Sequence, residues 1–205
     1  MKNPFLLAGF PFYTHLPYKP LLVVLCLLGG ACSAFAQNNT QTMDRKGFLI
    51  GFGIGAGALH LQTNDTITNR FSTTIPNLKL GWVLNSKIAV EGLLTRASYR
   101  YQDKDRGFES LQLAVQYWPN EQWWLLAGTG VTFDLPAFYT LKKLDTTNFY
   151  TGLPSLSLAA GYELYHRGKF ALDLQYRFFY GRSNLPDDGY RKGFSNMLIV
   201  GFNWY

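Results

Sequence analysis

Five charged residues fall where a strand-forming sequence would turn them to the same side as its small and polar neighbours: Lys79, Glu91, Glu163, Asp173 and Arg177. With a tight turn centred on Gly168, Glu163 and Asp173 share one pairing sum. They therefore face each other across two antiparallel strands, with Arg177 a layer or two further on. Glu91 falls nearly opposite Lys79 across the Asn85-Ser86 turn. Two carboxylates enclosed together repel, and one apparent pKa rises unless a cation lies between them. Such a set can be an interior ion-pair network, the reading preferred here, or a catalytic carboxylate pair doing general acid–base work.

Other reactive types are sparse. His15 lies in the leader, His60 ends the first apolar segment and His166 flanks a turn. No spacing of His, Cys or carboxylates matches a metal site, and no cofactor is implied. Both cysteines, Cys26 and Cys32, precede Gln37, so a chain cleaved there would have no disulfide framework and no thiolate nucleophile. Asp65-Thr66-Ile67 and Asp145-Thr146-Thr147 match a pattern that some Gram-negative bacteria O-glycosylate, which makes Thr66 and Thr146 candidate modification sites.

The elements that must position these residues are strands. Gly47 to Leu61 reads GFLIGFGIGAGALHL, with Phe48, Ile50, Phe52, Ile54, Ala56 and Ala58 alternating against Leu49 and four glycines. A strand sends successive side chains to opposite faces, so one face is apolar and the other nearly bare. Further alternating runs cover about residues 73–84, 87–101, 111–118, 123–133, 155–164, 170–180 and 193–205, which makes eight strands. A bulge is expected near Arg96, where the alternation blurs. The connections are expected to be long at 62–72, medium at 102–106 and long at 134–151 and 182–192, with short turns between them.

The distribution of faces argues against a soluble carrier barrel. Such a barrel keeps its large apolar side chains inside, whereas here the other face holds Gly, Ser, Ala, Gln, Glu, Asp and Arg. That mixture cannot pack a dry core, but it can fill a polar lumen. Aromatics gather near the short turns and the C-terminus (Trp82, Tyr117, Trp118, Trp123, Tyr162, Tyr165, Phe202, Trp204) and near the loops (Tyr99, Tyr101, Phe133, Phe178, Tyr180), as in two interfacial girdles. The chain is 17% aromatic and only 16% charged, against roughly 25% charged in soluble proteins.

Residues 1–36 read as a cleaved signal peptide. Lys2 and Lys19 precede the apolar run Leu21 to Leu28, and Ala34-Phe35-Ala36 is an A-x-A site. Residues 37–46 are a loose polar leader and residues 47–205 form the barrel domain. Two of the 19 bases and none of the 13 acids precede Gln37, so cleavage lowers the net charge from +6 to +4. No basic cluster marks a nucleic-acid face. No segment after Ala36 is apolar enough for a spanning helix.

With these features the chain resembles the small outer-membrane barrel domains of OmpA and OmpX type, within the porin-family outer-membrane proteins. The resemblance covers about Lys46 to Tyr205. It rests on the glycine-alternating first strand, the loop rhythm and the ending Leu198-Ile199-Val200-Gly201-Phe202-Asn203-Trp204-Tyr205. It implies an all-β, eight-stranded antiparallel up-and-down transmembrane β-barrel in the bacterial outer membrane, with both termini on the periplasmic side. Outer-membrane lipid and lipopolysaccharide would surround it, and the barrel-assembly machinery would read Phe202, Trp204 and Tyr205 at its end.

In such barrels interior ion pairs restrict passage of solutes. The resemblance thus implies a non-enzymatic protein whose external loops serve a structural or surface-interaction role. A narrow channel is the alternative. Lipid-modifying enzymes of similar architecture use a His and a Ser at the membrane rim, so His60 is weighed as a third reading, although no His-x-Ser motif accompanies it.

Overall fold

The structure is a computed structural model, and it describes residues 45–63, 66–101, 104–136, 149–186 and 188–205. The expected signal peptide, with Cys26, Cys32 and His15, lies outside those residues, as does Thr146. Eight strands follow one another: β1 (Gly47–Thr63), β2 (Thr66–Asn85), β3 (Ile88–Tyr101), β4 (Lys104–Tyr117), β5 (Trp123–Pro136), β6 (Tyr150–Arg167), β7 (Phe170–Asn184) and β8 (Tyr190–Trp204). Each pairs antiparallel with the next, and β8 pairs back onto β1 from Ile50↔Trp204 to Thr63↔Arg191. The sheet closes into the expected eight-stranded up-and-down barrel and leaves no edge unpaired.

Local chemistry sets the reversals at the mouth where β1 begins and β8 ends. The Asn85 side chain accepts a hydrogen bond from the Lys87 amide at 2.9 Å, and Asn120 accepts from the amides of Gln122 and Trp123 at 3.0 and 2.8 Å. Asparagine favours turns because it can close such a loop with its own side chain. Gly168, at φ 59°, supplies the left-handed residue of the β6–β7 turn.

At the opposite mouth the strands run further than their composition predicts. The expected loop 62–72 is a ladder: β1 and β2 stay paired through His60↔Asn69 to Thr63↔Thr66. Likewise Asp134 belongs to β5, and Arg182 and Lys192 are opposed on β7 and β8. These extensions carry polar residues on both faces, so they lack the alternation by which the rest was read. Threonine and isoleucine still favour the extended backbone.

The irregularity expected at Arg96 lies across from it. The β3–β4 ladder passes through Arg96↔Glu109 without a shift, while β2 slips register between Thr73 and Leu78. Pro76, which has no N–H to give to the ladder, occupies that slip.

The outward face is apolar on strand after strand. Phe48, Ile50, Phe52 and Ile54 on β1, Leu78, Leu80, Trp82 and Leu84 on β2, Leu111, Leu113 and Val115 on β4, and Leu198, Val200 and Trp204 on β8 are all exposed. Soluble monomers rarely expose contiguous apolar patches beyond a few hundred Å².

Inside, the bare positions make room for large side chains. A Cβ added to Gly161 would stand 2.2 Å from ring atoms of Trp124, which is fully buried. Gly161→Val is expected to overpack this site and cost about 1–3 kcal/mol. A lowered urea midpoint of the detergent-folded protein measures it.

Candidate functional site: a polar lumen closed at both mouths

The inward residues stack in three levels. At the mouth where β1 begins and β8 ends, Leu49, Val83, Ala89, Trp118, Trp124 and Leu126 pack with Tyr205. Glu163 sits among them and takes three partners. The Trp118 indole N–H donates to Oε1 at 2.9 Å, the Tyr205 hydroxyl donates to the same oxygen at 3.0 Å, and Arg45 Nη2 lies 3.2 Å from Oε2. The Arg45 guanidinium also lies 4.9 Å from the Trp118 ring centroid, and its Nη2 donates to the Glu121 carbonyl. Burial, reinforced by the Glu163 and Asp173 carboxylates, pushes the Tyr205 phenol well above its ordinary pKa, so the hydroxyl stays a donor.

The middle level holds four of the five charged residues singled out by sequence. Glu163 and Asp173 are directly paired in register, yet each carboxylate has its own donors. Asp173 accepts from Trp124 Nε1 at 3.1 Å, Gln175 Nε2 at 3.0 Å and Asn203 Nδ2 at 2.8 Å. Arg177 donates to Asn77 at 3.0 Å and to Gln175 at 2.6 Å. Lys79 donates to Gln116 at 3.1 Å and lies 4.8 Å from the centroid of Trp124. Lys79 pairs in register with Leu93 and not with Glu91, whose carboxylate oxygens are buried without a hydrogen-bond partner among the described residues. All five residues are thus interior, and amides and indoles, more than direct ion pairs, hold Lys79, Asp173 and Arg177.

At the opposite mouth, Leu59, Leu61, Phe108, Phe179, Met197 and Ile199 form a second apolar layer. Above it Asp134, fully buried, sits between two arginines. Arg106 Nε donates to Oδ1 at 2.9 Å, Arg106 Nη2 lies 2.9 Å from the same oxygen and donates to the Asp134 carbonyl at 3.3 Å, and Arg191 Nη1 contacts Oδ2. The Tyr99 hydroxyl donates to Oδ1 at 3.0 Å, and Arg191 Nε donates to Thr63 at 3.0 Å.

Sequence reasoning missed this cluster because Arg106, Asp134 and Arg191 were assigned to loops. Arg45 was missed because it was placed in a loose leader. The alternation continued to Asp134 and Arg191 would have found both. Two girdle assignments are also corrected: Trp118 and Tyr99 point inward and are buried, each drawn to a carboxylate by its polar hydrogen.

No protein-family model matches the chain, and no curated protein matches it in sequence. Solved structures do. The Neisserial surface protein A superposes with a TM-score of 0.51 at 16% identity, covering 77% of this chain and 96% of that one. Ail, the attachment invasion locus protein of Yersinia pestis, gives 0.48 at 19% over 78% and 99%, and OprG of Pseudomonas aeruginosa 0.41 at 11% over 78% and 97%. The fold is that of a small outer-membrane barrel.

In this outer-membrane-type barrel the remaining candidates fall at the ends. Among the described residues His60 forms no hydrogen bond with a hydroxyl side chain. Its Nδ1 lies 2.5 Å from the Asn69 side-chain oxygen, and its ring stacks on Phe194 at 4.5 Å between centroids. Thr66 is exposed at the start of β2, where it meets Thr63. Of the terminal trio, Phe202 and Trp204 face outward, Trp204 with 45% exposure, whereas Tyr205 is 3% exposed inside the mouth.

Asp134→Asn removes the buried carboxylate that Arg106 and Arg191 share. The expected destabilisation is about 3–5 kcal/mol. Urea unfolding in detergent micelles, followed by tryptophan fluorescence, measures it.

Proposed function

We propose that the chain is a non-enzymatic integral protein of the bacterial outer membrane. Its leader would be cleaved after Ala36, and its barrel would anchor externally exposed hairpins with a structural or surface-interaction role. The observation that carries this is the inversion of faces: apolar side chains point outward around the barrel, while charged and amide side chains are gathered within. Lipid is the solvent that makes such an arrangement favourable.

The same reading supplies the partners. Outer-membrane lipid and lipopolysaccharide would cover the apolar belt. The barrel-assembly machinery would reach Phe202 and Trp204, since Tyr205 is taken up by Glu163. On this reading Thr66, exposed on the β1–β2 hairpin, stays open to O-glycosylation, and Thr146 is carried with it by its Asp145-Thr146-Thr147 sequence alone.

Eight strands leave an interior just wide enough for side chains, and here two apolar layers and two buried acid clusters occupy it. A closed lumen follows from that reading, against the alternative of a narrow channel. The full chain expressed in a Gram-negative host should fractionate with the outer membrane and migrate differently on a gel before and after boiling. In planar bilayers it should give no unitary conductance steps. Soluble recovery without a mobility shift would overturn the membrane assignment, and regular conductance steps would favour the channel.

A further inference from the structure

Two cations face each other on the outward side of the barrel near the mouth where β1 ends and β8 begins. Arg182 on β7 and Lys192 on β8 are direct cross-strand partners. Both lean on one ring: the Arg182 guanidinium lies 5.2 Å and the Lys192 ammonium 4.7 Å from the centroid of Tyr190. Like charges directly opposed across a ladder destabilise it. Among the described residues neither forms an ion pair with an acid, and Arg182 Nε is buried without a hydrogen-bond partner.

The strand below this pair leads to an apolar groove. On β7 the outward positions descend from Arg182 through Tyr180 and Phe178 to Tyr176. Phe178 and Tyr176 form one wall of a groove of about 610 Å³ that runs across β4 to β7. Its floor is set by Ala127 and Ala160, two small residues on adjacent strands, with Leu158 and Tyr117 rising beside them. The register explains the hollow. Ala127 lies between Val115 and Leu158, and Ala160 between Leu125 and Tyr176, so the two alanines form a diagonal trough among larger side chains. From Phe178 to Arg182 the strand rises about 13 Å.

We propose that Arg182, Lys192 and the groove below them form a binding site for a phosphate-bearing lipid of the outer leaflet. The phosphate bridges the two cations, and an acyl chain lies along the trough. The inference rests on the membrane reading above and adds a ligand class and a location to it. Charge complementarity selects the head: arginine and lysine both bind phosphate, and an anion between them removes the cross-strand repulsion. The small floor selects the tail, because a flexible chain can fill a shallow diagonal trough that a flat protein surface would bridge. Tyr180 and Tyr190 mark the level at which aromatic rings sit among lipid headgroups.

The full chain, purified from outer membranes into detergent, is titrated with diphosphorylated lipid A and with its dephosphorylated counterpart bearing the same chains. Bound species are counted by native mass spectrometry. The phosphorylated lipid is expected to bind about tenfold tighter. The double substitution Arg182→Ala with Lys192→Ala should bring it down to the dephosphorylated level. Ala160→Phe, which fills the trough, should weaken both lipids, and Arg100→Ala, four strands away on β3, should change neither.

Equal binding of the two lipids, or undiminished binding by the double variant, would overturn the site. Competition by millimolar inorganic phosphate would show a free-phosphate site and overturn the lipid assignment. A dimer that Ala160→Phe abolishes would assign the groove to a second copy and overturn it as well. Each variant is run unheated and boiled beside the parent. A missing mobility shift in the parent would sink the membrane reading itself, whereas a normal shift with lost lipid preference isolates the two cations.

Discussion

A sheet closed on eight strands must turn every second side chain into a lumen with almost no spare volume. That confinement is the constraint on which the rest of the molecule depends. Charged groups placed there are cut off from bulk water, so each must find its donors or acceptors within the barrel. Asp134 meets two arginines and a tyrosine, Glu163 an arginine, an indole and a phenol, and Asp173 an indole and two amides. Tryptophan suits this interior because one side chain supplies both volume and a single N–H. Trp118 and Trp124 fill the same apolar layer, and each donates to a carboxylate.

The two acid clusters sit at opposite mouths, Glu163 within one apolar layer and Asp134 above the other. At one mouth Arg45, just before β1, and Tyr205, just after β8, meet on Glu163. Removing water from this mouth strengthens the electrostatic contacts there, and those contacts hold the ends of the first and last strands beside each other. Closure of the sheet and closure of the mouth support one another.

Because the interior is filled, interactions with other molecules are left to the outer belt and the exposed ends. The belt is not uniform. Alanines at 127 and 160 make a trough where other strands carry leucine and phenylalanine, and two cations are paired across the ladder nearer the opposite mouth. The extended β1–β2 hairpin reaches beyond the belt, so Thr66 is held on a paired strand and not on a slack loop.

The sequence by itself determined the architecture. Alternation with period two is a local property of each strand, and the side on which the apolar residues fall tells whether lipid or water lies outside. Turn chemistry at Asn85, Asn120 and Gly168 is local as well. Lys79, Glu91, Glu163, Asp173 and Arg177 could be assigned to the interior from parity alone. Only the tertiary structure decided which groups they meet. Parity fixes the face a side chain points to, whereas partners across a lumen come from strands far apart in sequence: Arg177 reaches Asn77, a hundred positions away, and Arg45 reaches Glu163. Strand ends were equally hidden, because beyond the lipid both faces of a strand can be polar and the periodic signal disappears while the backbone ladder continues.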